Sequence, residues 1–306
     1  MARPGTQALR WACAVAAPGA DVTGVAGLRG GGNPWRITLE RGGRETAVIL
    51  KTGDPQDGQQ LGTAVAALRL AAEHALPAPR LIDADLDGAA AGELAMLTAV
   101  LDGDSIIPRE PSPARLRQLG ALAATVHEIE LAPSPPMPVR ERALPDMDFE
   151  GWRRAAGSSP LLDWAQAAVN DRPVPAWPGE AGRLVHGDLW QGNTVWSGET
   201  CTGFIDWDCA GTGHPGIDLG TLRLDAAMFA GAGGPAEILG GWEEGAGQRA
   251  GDLAYWDVAA ALTTVGDMAD CLPPLADHGR TDLTARALTA RRDAFLSDAL
   301  TRLGGC

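Results

Sequence analysis

Two short segments concentrate the residues able to do chemistry. One is His186-Gly187-Asp188-Leu189-Trp190-Gln191-Gly192-Asn193, and the other is Gly203-Phe204-Ile205-Asp206-Trp207-Asp208. The Asn193 amide and the Asp206 carboxylate offer hard oxygen donors. Such donors suit Mg²⁺, an ion that keeps several waters and shares its remaining positions with phosphates. Asp188 stands just ahead of this pair, where a carboxylate can orient a hydroxyl and accept its proton. A third feature is Lys51, the single lysine among 25 basic residues. An ammonium is a compact point charge that a planar guanidinium does not replace, so a lone lysine in an arginine-rich chain marks either a position that arginine cannot fill or a chance survivor.

These groups need elements to position them. Trp35 to Leu39 alternates apolar and polar residues as a half-buried strand does. Arg41-Gly42-Gly43-Arg44 reads as a turn, and Thr46 to Lys51 as the returning strand. Gly30-Gly31-Gly32 enters this hairpin as a glycine-rich loop. A helix is expected from about Gln59 to Ala75, ended by Leu76-Pro77, and then strands over 80–84 and 93–100. The character changes after Asp102-Gly103. Ser112-Pro113 is a helix start with a capping serine and proline at the first position. Residues 131–146 read as a proline-rich linker, 152–169 as one helix, and the chain beyond Asp218 as helical. Val195-Trp196 and Cys201 to Ile205 read as two short strands that would carry Asp206 back towards Asn193. The expected class is α+β, with a small N-terminal sheet lobe over 1–100 and a larger, mainly helical lobe over 101–306.

Composition narrows the partners. The net charge of −14 excludes recognition of nucleic acid through a basic footprint and argues against an anionic membrane as partner. It suits a cationic small molecule. The cysteines form no CxxC pair and no Cys/His ligand spacing, so neither a zinc site nor a disulfide framework is expected. Arg10 interrupts the alanine-rich N-terminal patch, which is too short for a signal peptide, and a cytoplasmic location is the expectation.

His-Gly-Asp-Leu-x-x-x-Asn matches the kinase catalytic-loop pattern, with glycine where protein kinases carry arginine, and Ile205-Asp206-Trp207 stands in place of Asp-Phe-Gly. With Gly213-His214-Pro215-Gly216-Ile217-Asp218-Leu219-Gly220, the chain resembles the aminoglycoside phosphotransferase family, small-molecule kinases of the protein-kinase-like fold. The resemblance implies roles. Asp188 would act as base, and Asn193 and Asp206 would hold Mg²⁺ against the ATP phosphates. Lys51 would contact the α- and β-phosphates, and the backbone at Gly30, Gly31 and Gly32 would approach the nucleotide. The backbone from Thr98 through Val100 to Leu101 would meet adenine. His186 and Asp218 would support the loop. The implied reaction moves the γ-phosphoryl group of ATP to a hydroxyl of a small molecule, an aminoglycoside-like or other antibiotic being the sharper expectation. A metabolic kinase acting on an amino alcohol or sugar and a nucleotide-binding pseudokinase remain the alternatives.

The chain departs from the family at one place. Ala64 occupies the position of the helix glutamate that pairs with the lysine, leaving Gln60 or Asp57 as substitutes, or no pair at all. Other residues carry two readings. Asp208 assists a metal or caps a turn. Trp190 and Trp207 line an acceptor pocket or fill the core. Glu243 and Asp257 recognise amines of a cationic substrate or belong to a solvated acidic face.

Overall fold

The computed structural model describes residues 3–177 and 181–304. The chain divides into two compact units. One is the chain up to Asp102 together with Thr202–Asp208, and the other is Gly103–Cys201 with the chain from Cys209 onward.

The first unit is built on a five-stranded antiparallel sheet. Its strands are β1 (Asp21–Arg29), β2 (Gly32–Arg41), β3 (Arg44–Gly53), β4 (Leu81–Asp85) and β5 (Leu94–Ala99), in the order β1-β2-β3-β5-β4. The alternation read in the sequence is the burial pattern: Trp35, Ile37 and Leu39 of β2 and Val48 and Leu50 of β3 share one buried face. The alanine-rich N-terminal patch is helix α1 (Thr6–Ala16), which lays Ala8, Trp11 and Ala12 against that face. Helix α2 (Gly58–Glu73) also packs on β4 and β5, burying Leu61, Ala64, Val65 and Leu68. Strand β5 is buried along nearly its whole length, which explains its continuous apolar run, Leu94 to Leu97. Sequence patterning did not mark β1, because its residues are mostly exposed or half-buried and include two glycines.

The second unit is mainly helical. Helix α3 (Pro113–His127) begins as expected, with the Ser112 hydroxyl accepting from Arg115 N at 3.1 Å. The expected helix over 152–169 is two, α4 (Phe149–Ala156) and α5 (Pro160–Asn170). Gly157 ends the first in a positive-φ conformation, and Ser159 caps the second with Pro160 at its first position. That Ser-Pro start is the same signal that marks α3. Helix α6 (Gly216–Ala230) is buried almost all round and packs against α7 (Gly234–Ala246), α8 (Leu253–Ala261) and α10 (Ala285–Gly304), with the short α9 (Leu272–Asp277) between the last two in sequence. A small sheet joins β6 (Glu130–Leu131), β7 (Val139–Arg140), β8 (Gly182–Val185) and β11 (Gly211–Gly213) in the order β6-β8-β11-β7. Part of the expected 131–146 linker is therefore strand. The two short strands expected around Ser197-Gly198 are β9 (Thr194–Ser197) and β10 (Thr200–Phe204), which pair with each other. Cys13, Cys201, Cys209 and Cys271 are free thiols, and Cys306 lies outside the described residues.

Candidate active site

The second unit holds the Asp188 segment. Strand β8 ends in buried Leu184 and Val185 and delivers the chain to His186, while fully buried Leu189 anchors the loop beyond. Asp218, in the first turn of α6, is fully buried and braces the loop from behind. Its Oδ2 accepts from His186 N at 2.7 Å and its Oδ1 from Gly187 N at 2.8 Å. His127 completes the brace, its Nε2 lying 3.0 Å from Asp218 Oδ2. The Trp242 indole can only donate, and it donates to His127 Nδ1 at 2.9 Å. The imidazole therefore accepts at Nδ1 and gives its Nε2 proton to Asp218. Burial alone would raise the Asp218 pKa, but the His127 hydrogen bond and the backbone donor at His186 outweigh it and hold the carboxyl below its ordinary value.

Gly187 is required by contact as well as by conformation. Its φ is +79°, and a Cβ there would lie 2.1 Å from the Cys209 carbonyl oxygen. No arginine fits where protein kinases have one. Asp188 is only partly buried. Its Oδ2 and its own carbonyl each accept from Asn193 Nδ2 at 2.9 Å. Because both neighbours of Nδ2 are acceptors, the Asn193 amide is oriented, and Oδ1 is the atom it offers on its other side. Further along, Gln191 N donates to Asp225 Oδ2 at 2.9 Å. Asp225 is a buried carboxyl that sequence reading passed over. Burial pushes its pKa up to about 8, against the Gln191 N–H and with the added repulsion of Asp188.

The first unit holds Lys51 and its carboxylate partners. Lys51 lies near the end of β3, with Nζ 2.7 Å from Asp206 Oδ1 and bonded also to Asp208 Oδ2. Burial opposes its charge, but the two carboxylates more than compensate and its pKa lies above the ordinary lysine value. Asp206 Oδ2 meets Arg29 Nη2 at 2.6 Å. Asp206 has φ +67°, an uncommon conformation for a residue with a Cβ, of the kind held in place at functional sites. Asn33 pins the strand end beside Lys51, donating to Thr52 O at 2.7 Å and accepting from Thr52 N at 3.1 Å. Sequence reasoning singled out neither Asn33 nor Arg29. The partner of Lys51 is also not where it was sought. Ala64 is buried in α2, and Asp57 accepts from Asp54 N at 2.7 Å, whereas Asp206 and Asp208 supply the carboxylates.

The three glycines divide their roles. Gly30 and Gly31 form the tight turn and Gly32 opens β2. Thr98 sits inside β5 with its side chain buried, opposite Ile49 and Leu81, and Val100 follows the strand's end. Two candidate substrate residues are corrected. Asp257 is fully buried, bound by Arg223 through two contacts of 2.9 Å and by Arg302 Nη2 at 2.8 Å, and so joins α6, α8 and α10. Trp207 is also buried, its indole donating to Phe204 O at 2.9 Å. Glu243 accepts from Arg249 at 2.5 Å and from Ala250 N at 3.2 Å, securing the chain after α7. Trp190 stays partly exposed and meets the His278 ring edge-on at 4.9 Å. His214 stacks on Trp256 at 4.9 Å, and burial lowers its pKa to about 4.

Among the described residues no cluster of three or more His, Cys, Asp or Glu side chains could hold a metal ion by itself. Each unit instead offers a hard oxygen donor, the Asn193 amide oxygen in one and the Asp206 carboxylate in the other, and donors of this kind suit Mg²⁺ carried with phosphate oxygens and waters better than zinc.

Comparison with known proteins bears on the fold and the family. A putative aminoglycoside phosphotransferase from Ralstonia eutropha JMP134 shares 14% identity, with 99% of each chain covered and a TM-score of 0.61. Macrolide 2′-phosphotransferase MphH from Brachybacterium faecium shares 19% identity over 89% of this chain and 94% of its own, with a TM-score of 0.57. A thermostable mutant of the aminoglycoside phosphotransferase APH(4)-Ia, solved with ADP and hygromycin B, shares 17% over 94% and 96%, with a TM-score of 0.53. At such identities these neighbours establish the protein-kinase-like fold. No curated sequence matches the chain. The model of the phosphotransferase enzyme family matches residues 25–262, which spans both the Lys51 hairpin and the Asp188 loop, and the chain belongs to that family.

Proposed function

We propose that this protein transfers the γ-phosphoryl group of ATP to a hydroxyl of a small molecule. The observation that carries the reading is the Asp188 loop: a partly exposed carboxylate, oriented by Asn193, on a backbone braced by a buried carboxylate. Asp188 orients the acceptor hydroxyl and takes its proton as the oxygen bonds to the γ-phosphorus and the bridging oxygen departs with ADP. Mg²⁺, when bound, neutralises charge on the phosphates. Asn193 and Asp206 are the residues that would hold it. Lys51 contacts the α- and β-phosphates, and its raised pKa keeps it charged across the physiological range. The backbone at Gly30, Gly31 and Gly32 approaches the nucleotide, and Val100 with Thr98 contributes the adenine contacts. His186 and Asp218 hold the loop and do no chemistry.

The acceptor we propose is an antibiotic of the aminoglycoside or a related amino-sugar class. Relatives in fold support this: APH(4)-Ia was solved with hygromycin B. The net charge of −14 suits a cationic acceptor. A cytoplasmic location suits an ATP-dependent enzyme. Among the described residues no helix is long and apolar enough to cross a membrane. The pseudokinase alternative leaned on the missing glutamate at Ala64, and the carboxylates of Asp206 and Asp208 beside Lys51 weaken that ground. The test is Mg²⁺-dependent ADP release across aminoglycosides, macrolides, nucleoside antibiotics, choline and amino sugars. Release stimulated by one class and lost in Asp188→Asn supports the proposal. Release without discrimination among acceptors, or equal release by the variant, contradicts it.

A further inference from the structure

The reading above uses one protein cation, Lys51, against the several negative charges of a nucleoside triphosphate. Arg29 has no part in it, yet the hairpin is shaped around Arg29. Strands β1 and β2 pair in unbroken register from Gly24↔Thr38 to Gly27↔Trp35, and the register then shifts before Arg29↔Gly32. A shift of this kind is a bulge, which re-aims the side chain beyond it. On β2 two residues, Asn33 and Pro34, stand against Leu28 alone, and Leu28 is left 47% exposed. Gly30 and Gly31 then turn the chain with φ of +51° and +75°, the pair of positive values that a tight two-residue hairpin turn demands. Gly27 lets the turn fold closely over the strand, since a Cβ there would lie 2.1 Å from the Gly31 carbonyl carbon. The result places the Arg29 guanidinium on Asp206 Oδ2 at 2.6 Å, with its side chain still 50% exposed.

Asp206 thus meets two cations, Lys51 at one oxygen and Arg29 at the other. Lys51 sits in a strand and has Asp208 as a second partner. Arg29 sits at the mouth of a glycine turn, half in solvent. Of the two, Arg29 has the more exposed side chain, 50% against 19%, and so the freer access to an incoming anion. We propose that Arg29 is a second phosphate-binding residue, held on Asp206 until the phosphates of a nucleotide take it over. The exchange moves Arg29 from one anion to another, and no covalent bond changes. A guanidinium suits the task because its planar fork can contact two phosphate oxygens together. The proposal rests on the nucleotide-binding reading above.

The experiment is calorimetric titration of the full chain with Mg²⁺-ATP, Mg²⁺-GTP and adenosine, using the wild type, Arg29→Gln and Arg29→Lys. Loss of charge-assisted hydrogen bonds to phosphate is expected to weaken the triphosphate that binds the wild type by about tenfold to a hundredfold in Arg29→Gln. Adenosine should bind that variant as it binds the wild type, and Arg29→Lys should recover part of the loss. Equal weakening of triphosphate and adenosine would show a role in hairpin shape alone and overturn the proposal. Unchanged triphosphate affinity in Arg29→Gln would also overturn it. A wild type that binds neither triphosphate would refute the nucleotide reading itself, a result distinct from either of these.

Discussion

Asp218 and Asp225 are both buried acids on α6, and they should respond oppositely to the same substitution. Asp218 accepts through both oxygens, from Gly187 N at one and from His186 N and His127 Nε2 at the other. Asp218→Asn puts an NH₂ group against at least one of these donors whichever way the amide turns. An unsatisfied buried donor costs about 1–3 kcal/mol, and the remaining bonds lose the charge that makes each worth about 1.5–3 rather than about 1 kcal/mol. Together the expected loss is about 3–5 kcal/mol. Asp225, with its pKa near 8, carries a proton at pH 7 and accepts from Gln191 N. Asn keeps that acceptor, so Asp225→Asn should stay close to wild type or gain stability at pH 7.

The pH dependence separates the two acids further. The contribution of Asp218, whose folded pKa is depressed, is present above its unfolded pKa and is lost as pH falls through the folded value. That of Asp225, whose pKa is raised, is full below its unfolded pKa and is lost as pH rises through about 8. Urea unfolding of wild type and both variants from about pH 2.5 to 9 reads these effects, the Asp218 loss below about pH 4 and the Asp225 loss on the way to about pH 8. The reasoning is refuted if Asp218→Asn is as stable as wild type at pH 7, or if Asp225→Asn is damaged as much as Asp218→Asn.

Other substitutions follow from the same geometry. Asp188→Asn should lower turnover by about 10²–10⁴-fold while nucleotide affinity, measured by calorimetry, and folding stay near wild type. Asp257→Ala leaves the Arg223 guanidinium buried without its carboxylate, so unfolding measurements should show a loss of about 3–5 kcal/mol, with activity per folded molecule retained. Gly187→Ala, with its Cβ against the Cys209 carbonyl and a positive φ, should impair turnover through displacement of Asp188, seen as a fall in kcat larger than any change in nucleotide affinity. Lys51→Ala leaves Asp206 and Asp208 together without their shared cation and should weaken ATP binding by at least tenfold in a direct titration.

The parts of the molecule fixed by local pattern were legible in the sequence. Alternation gave β2 and β3, the Ser112-Pro113 cap gave the start of α3, and turn residues gave the β9 and β10 pair. The Asp188 loop could be read because its residues adjoin one another in sequence. What was not legible depends on partners far apart in the chain. Lys51 and Asp208 are separated by 157 positions, and nothing local in Trp207-Asp208 announces a lysine partner. Asp257 looked like a surface acid because helical spacing does not show that Arg223 and Arg302 enclose it. Arg29 was overlooked because its orientation comes from a strand bulge, which apolar patterning does not record. Short strands such as β7 and β11, of two and three residues, are too brief for any periodicity and exist through pairing alone.

The central claim is that a phosphoryl group reaches a hydroxyl of a small molecule under the control of Asp188. The most direct test follows label from γ-³²P-ATP in the presence of Mg²⁺ and the acceptor that best stimulates ADP release. The account predicts a stable phosphate monoester of that acceptor, formed by the wild type and not by Asp188→Asn. Label appearing only as inorganic phosphate, or labelled acceptor formed equally by the variant, would contradict it.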